Sequence, residues 1–457
     1  MTDTPQLDVA IIGAGIAGLA AAIGLKDHPR INVQIYERAA ELREIGASIA
    51  LGPNGLRTLE RLGVDNALDD AVAFRNKSGH PMIYRHWKTN EVVSVDTHAG
   101  PVEYRHQTSR FYRAHLQQAL AKHVDPSRIH LAKAFQSVDF DEQSQKLTIA
   151  FADGTTATAD VLLGADGIHS PVRTSFVPTA RTAWTGWVTF RSVFPRSPHL
   201  ARIPDLPDEA CHFWGPERTL FVSPLGGGDL YTVVGSYQSD PGAADAPWKG
   251  AAWNAEGDVG VLRAYYRDWS PLVRSIIDAT PHTRIYPNVA AEGLDTWVLG
   301  GEGRVTLAGD AAHAHGGAFA AGGSLALDDA WAFAAALRHV FPEGSASPVG
   351  SQQISRALRI YERTRKAHTD RVIRVVHEGN AKKLARLKTA AAETDAELRA
   401  RMKNRYDPTW IHEHDVVTAF AQVLKDEGAD AATAPAPAPA PVPVQAPAPA
   451  PAEQAKL

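Results

Sequence analysis

One cysteine, Cys211, occurs in 457 residues. A single thiol excludes an intramolecular disulfide, a cysteine-based metal cluster and a CxxC redox pair, so any redox chemistry has to be carried by a bound cofactor. Excess positive charge is also missing: 47 Lys and Arg stand against 51 Asp and Glu, a net charge of −4. That removes the positive field a nucleic-acid backbone requires, and no nucleic-acid partner or metal site is expected. Long apolar runs are scarce. The longest uncharged one, Val9 to Leu25, is broken by Gly13, Gly15, Gly18 and Gly24 and preceded by Asp3 and Asp8 without a basic segment, which argues against a membrane span and a signal peptide. A cytoplasmic protein of two or three domains is the expectation, at roughly 150 residues per domain.

What is present falls into three kinds of segment. From Ala434 to Ala452 the chain nearly alternates Ala and Pro, with eight prolines between Pro435 and Pro451. Each proline fixes φ and removes a donor, so this reads as an extended tail with no core. Gln352 to about Leu424 is dense in Ala, Leu, Arg, Lys and Glu and predicts helices. Upstream, strand-like and helix-like patterns alternate, except between Trp184 and Tyr237, where β-branched and aromatic alternation with a Gly226-Gly227-Gly228 turn predicts a largely antiparallel sheet.

Gly13-Ala14-Gly15-Ile16-Ala17-Gly18 fits GxGxxG between a strand at Val9 to Ile12 and a helix at Leu19 to Leu25. Such glycines let the backbone turn and approach a pyrophosphate at a helix N-terminus. Glu37 closes the second strand, Val33 to Tyr36, where an acid is expected to accept from a ribose hydroxyl. A second motif, Gly309 to His313, follows the apolar run Val305 to Ala308 and puts Asp310 at the carboxyl end of a strand, where ligands bind in open α/β sheets. Ala320 to Ser324 then opens a helix through Arg338, whose free N–H groups face a ring system or merely cap the helix. Gly164-Ala165-Asp166-Gly167 ends another apolar strand ahead of His169 and Arg173. Arg113 lies on a helix opened by Thr108 or Ser109 with Leu116 and Leu120 inward.

In this order the segments resemble the single-component FAD-dependent aromatic hydroxylases, the family of p-hydroxybenzoate and salicylate hydroxylases, over roughly residues 8 to 375. The resemblance rests on Gly13 to Gly18 with Glu37-Arg38, REIGASIALGPNG at Arg43 to Gly55, RAHL at Arg113 to Leu116, GADGIHSPVR at Gly164 to Arg173 and GDAAH at Gly309 to His313. WTGWVTFRSVF and WGPERTLFVSPLGG look most like the salicylate-hydroxylase-like branch. Departures stand at His313-Ala314 and Gly317, where the family has prolines, and at Ala320 to Ser324, where GQGxN is common.

The resemblance implies an α/β (α+β overall) fold: a Rossmann-like FAD-binding domain (1–75, 104–180, 285–345) interleaved with a mostly antiparallel sheet domain for substrate (76–103, 181–284). C-terminal helices (346–426) and a disordered Ala/Pro tail (427–457) follow. It implies noncovalent FAD held by Gly13, Gly15, Gly18, Glu37 and Arg38, with Ala50 at the flavin-side loop, Arg113 near the pyrophosphate, and Asp166. Asp310 would hold the ribityl chain, and the N–H groups of Gly322, Gly323 and Ser324 would face the flavin N1/O2 edge. NADH or NADPH would bind transiently, and oxygen would pass from a flavin hydroperoxide to a small aromatic acid. Arg191 would be costly to bury unpaired, so it meets either a substrate anion or an Asp or Glu. Tyr231 either orients the ring or packs in the core. His212 and His313 either deprotonate a phenol or are structural. Monomer and homodimer stay open, as do epoxidation, decarboxylation, a larger secondary metabolite as substrate, a nicotinamide-only dehydrogenase and a non-catalytic carrier.

Overall fold

The computed structural model describes residues 6–42, 47–244, 248–345, 349–387 and 393–433. Arg43 to Gly46 of the second family motif and the Ala/Pro segment from Ala434 lie outside them.

The opening strand, Leu7–Ile12, is buried on both faces from Val9 to Ile12, as that apolar run requires of a parallel strand between helical layers, with Asp8 half-buried near its start. It lies in a five-stranded parallel sheet ordered 305–307, 161–164, 7–12, 31–36, 129–130. Helices Ile16–Leu25 and Gly322–Val340 pack against each other over this sheet. Gly24 sets their separation, since a Cβ there would lie 2.7 Å from the Ala334 Cβ. A three-stranded antiparallel sheet, 135–141, 146–151 and 156–159, joins this first body.

The second body is an eight-stranded sheet ordered 255–257, 283–291, 182–195, 230–238, 218–225, 211–214, 83–86, 92–95. Its pairings are antiparallel except for Cys211–Trp214 beside Ile83–His86. Gly226 and Gly228, both at positive φ, turn the expected hairpin. Helices Val259–Tyr265 and Pro271–Asp278 bring Leu262, Val273, Ile276 and Ile277 into the core with Val188, Phe190, Tyr231 and Val233. The opposite face of the sheet looks toward the first body. Strand Thr283–Ala291 pairs along Thr182–Arg191, so the expected domain boundary at 285 falls within a strand of the second sheet.

Among the described residues four C-terminal helices follow: Ser351–Leu387, Asp395–Lys403, Thr409–His412 and Val416–Thr433. The last runs past the expected limit at 426. Asp395–Lys403, opened by a capping box of Thr394 and Glu397, covers the edge strand Val92–Val95, with Ser94 Oγ donating to the Met402 carbonyl at 3.0 Å.

Candidate active site

Between the two bodies lies a cavity of about 1590 Å³. Pockets for a single drug-sized ligand measure roughly 300–1,000 Å³, so there is room for a cofactor and a second molecule.

One end is built by the glycine motifs. Gly13 has φ +105°, and a Cβ on Gly18 would lie 1.9 Å from the Gly13 carbonyl oxygen. Gly13 and Gly18 therefore shape the turn and the packing. A Cβ on Gly15 would meet nothing within 4 Å, and Gly15 lines the cavity at the N-terminus of Ile16–Leu25. Both Glu37 carboxylate oxygens accept backbone N–H groups, Oε2 from Ala14 at 2.8 Å and Oε1 from Ala39 at 2.9 Å, which leaves lone pairs for a further donor. Ala50, Arg113, Asp310, Gly322 and Gly323 line the same cavity. A Cβ on Gly322 would sit 3.9 Å from Asp310 Oδ1 and 3.3 Å from His315 Cε1, so the missing side chain leaves a cradle at that helix start.

Glu37 lies outside the cavity lining, and other expected residues stand back from it too. Arg38 is exposed and outside the lining. Asp166 Oδ2 accepts from the Val172 N–H at 3.1 Å, bracing the loop before Pro171–Phe176, and burial pushes its carboxyl up. Ser324 Oγ accepts from the Gly52 N–H at 3.0 Å. Ser109 belongs to a strand, Ser109–Tyr112, and the helix carrying Arg113 begins at Arg113 itself.

His313 is also set back. It is 1% exposed, and its Nε2 lies 2.5 Å from Asp329 Oδ2, which also accepts from the Gly309 N–H at 2.9 Å. Arg365 Nε donates to Asp329 Oδ1 at 2.9 Å. Burial alone would push the Asp329 carboxyl up, but His313 and Arg365 outweigh it and hold it at about 2. This buried network fixes the loop before Asp310 from behind and engages His313 Nε2, an arrangement that favours the structural one of the two roles left open for His313.

The sheet wall supplies Arg191, Thr189, His212, Trp214, Phe221 and Tyr286. Arg191 Nε donates to Thr189 Oγ1 at 3.1 Å, and its guanidinium lies over the Tyr286 ring, 5.3 Å from the centroid. No carboxylate lies within 4.0 Å of it among the described residues. Burial pulls its pKa down, with Tyr286 opposing and the nearby Arg113 adding to the fall. Burial likewise lowers His212 to about 3, which makes it neutral. Tyr231, for which a ring-orienting and a core role were both open, is fully buried on the far face, its hydroxyl donating to the Pro207 carbonyl at 3.0 Å. In register Arg191 faces Val234 and Phe194 faces Tyr231, and with side chains alternating along a strand Tyr231 lies opposite to Arg191. Tyr286, held by Asn254 Oδ1 at 2.7 Å, is the aromatic partner that sequence reasoning missed. Arg110, His315 and His412 line the cavity as well; both His315 ring nitrogens lie buried without partners among the described residues.

The FAD binding domain model matches residues 6–215 and 299–376, the segments that carry the glycine loop, Arg113 and Asp310. The chain belongs to that family. It is a member of the single-component FAD-dependent aromatic hydroxylases, with FAD as its cofactor. Its sequence is 28% identical to 6-hydroxynicotinate 3-monooxygenase of Bordetella bronchiseptica, covering 81% of this chain and 90% of that protein. It is 27% identical to salicylate hydroxylase of Pseudomonas putida, covering 92% and 95%. The fold matches a salicylate hydroxylase substrate complex with a TM-score of 0.73 at 24% identity, over 92% of this chain and 98% of that one. The open Gly15 and the cradle at Gly322 suit a dinucleotide with a planar ring. Among the described residues no helix is long and apolar enough to cross a membrane.

Proposed function

We propose that this monooxygenase hydroxylates a small aromatic acid, using NADH or NADPH and O2. FAD, when bound, would supply the redox chemistry, in which two electrons come from the nicotinamide, one atom of O2 goes to the ring and the other leaves as water. The protein's own contributions are binding, orientation and exclusion of water.

The observation that carries this reading is Arg191. A cation on a cavity wall with no acidic partner needs an anion, and the substrate carboxylate or phenolate is the anion on offer. Thr189 fixes the guanidinium plane through Nε, leaving its other N–H groups to bind a carboxylate bidentately. Trp214, Phe221 and Val234 line the wall beside it and provide an apolar surface that packs a ring and keeps water away. His212, neutral and weakly basic, serves as a hydrogen-bonding wall; a group with a pKa of about 3 is a poor acceptor for a phenol proton at neutral pH.

The test is oxidation of NADH and NADPH by the purified yellow protein against hydroxybenzoates, aminobenzoates and hydroxynicotinate, with product identification. A hydroxylated product from at least one acid supports the reading. Nicotinamide oxidation that no aromatic acid stimulates contradicts it.

A further inference from the structure

We infer that the cavity accepts an aromatic substrate with a second anionic group at the end away from Arg191, and that Arg110 is the residue that holds it. The inference deepens the aromatic-acid reading above and rests on it.

The sheet register supplies the ruler. Arg191 lies opposite Val234, Val234 opposite Phe221, Phe221 opposite His212, and His212 opposite Tyr84. Residues directly opposite one another share a face of the sheet, so the five form one row, and all five line the cavity. At ~4.8 Å per strand, Arg191 and Phe221 are about 10 Å apart along the row. Arg110 arrives from the facing strand Ser109–Tyr112 and lays its guanidinium over the Phe221 ring, 5.9 Å from the centroid. Two cations therefore face the row, Arg191 at its end and Arg110 over its middle at Phe221, with the apolar Val234 between them.

Arg110 is as short of a counter-ion as Arg191. It is 5% exposed, and its Nη2 donates to the Pro81 carbonyl at 2.7 Å. No carboxylate lies within 4.0 Å of it among the described residues. Asp96, whose field reaches it, is occupied by Arg405 Nε at 3.0 Å and by the Tyr84 hydroxyl at 3.0 Å. His412 lies close enough for Arg110 to lower its pKa further after burial, and at about 4 it contributes no charge. A guanidinium has five N–H donors, and the Pro81 carbonyl satisfies one. A monoanionic benzoate seated at Arg191 would leave Arg110 buried without an anion; an aromatic dicarboxylate would satisfy both.

Two ligands on one scaffold separate the possibilities: salicylate, and hydroxyterephthalate, which adds a second carboxylate across the ring. Binding is read from the perturbation of flavin absorbance in the holoenzyme, independently of turnover. The wild type is expected to bind hydroxyterephthalate about tenfold tighter or more, equivalent to ~1.4 kcal/mol. Arg110→Met is expected to erase that preference while leaving salicylate affinity and flavin content unchanged. If Arg110→Met does not fold, Arg110→Lys gives the reading: a reduced but persistent preference supports the inference, and equal affinities overturn it. No preference in the wild type, or equal loss of both ligands in the variant, also overturns it and leaves the aromatic-acid reading standing. Failure of both ligands to bind, with no aromatic acid turned over, overturns that reading and this inference together.

Discussion

Burial alone would strip charge from the residues that matter most in this cavity, so their partners reveal what they do. Asp329 is the instructive contrast to Arg191: its carboxylate is spent on the Gly309 N–H, His313 and Arg365. Removing one member of a buried ion pair costs ~3–5 kcal/mol. Asp329→Ala should therefore lower the melting temperature by several degrees and release flavin on desalting, because Gly309 loses its acceptor one residue before Asp310. Asp310→Ala should lose flavin with little change in melting of the apoprotein, since its half-turn is anchored by Gly309 and by Arg173 on the Ala311 carbonyl at 2.8 Å. Flavin content after gel filtration, read beside a melting curve, separates the two cases.

Among the elements, the glycine loop shows how one motif divides its labour. A methyl group on Gly18 would collide with the Gly13 carbonyl, whereas one on Gly15 meets open space. Gly18→Ala should thus impair folding of the opening strand–helix unit. Gly15→Val should fold and bind flavin poorly, a difference visible in circular dichroism against flavin absorbance. The glycine loop, the second strand and the helix after Gly322 were legible in the sequence because each has strong local chemistry: a tight turn, an apolar run or a helix start. The sheet face was not. Arg191 and Tyr231 both sit in alternating strands, but only the pairing register shows that they point apart, and register is a long-range property. Tyr286 and Arg110 escaped notice for the same reason: one is about a hundred residues from Arg191 in sequence, and the other lies in a stretch whose residues suit the helix that begins only at Arg113.

At the scale of the whole molecule, eight of the described histidines are held below their ordinary value of 6.5 mainly by burial, His28, His86, His123 and His315 together with the strongly lowered His212, His368, His412 and His414. Such groups bind protons more readily in the unfolded chain. Their contribution to stability is full above about pH 6.5 and is lost as the pH falls toward their folded values, which lie at about 4 for His412 and His414 and about 3 for His212. The melting temperature should therefore drop between pH 7.5 and pH 5, before most carboxylates titrate, and His212→Phe should lessen the drop. Deletion of 434–457 should leave flavin content and turnover unchanged, because an Ala/Pro alternation offers nothing to pack against the body.

The central claim is that the cavity holds an aromatic anion on Arg191 beside FAD, and the most direct measurement compares wild type and Arg191→Ala. Both are titrated with the best aromatic acid while flavin absorbance, NAD(P)H oxidation and melting temperature are followed. The account predicts retained flavin, nearly unchanged melting and substrate affinity weakened on the order of a hundredfold or more, from ~3–5 kcal/mol for a lost buried charge partner. Unchanged affinity with a lowered melting temperature would contradict it and make Arg191 a structural cation.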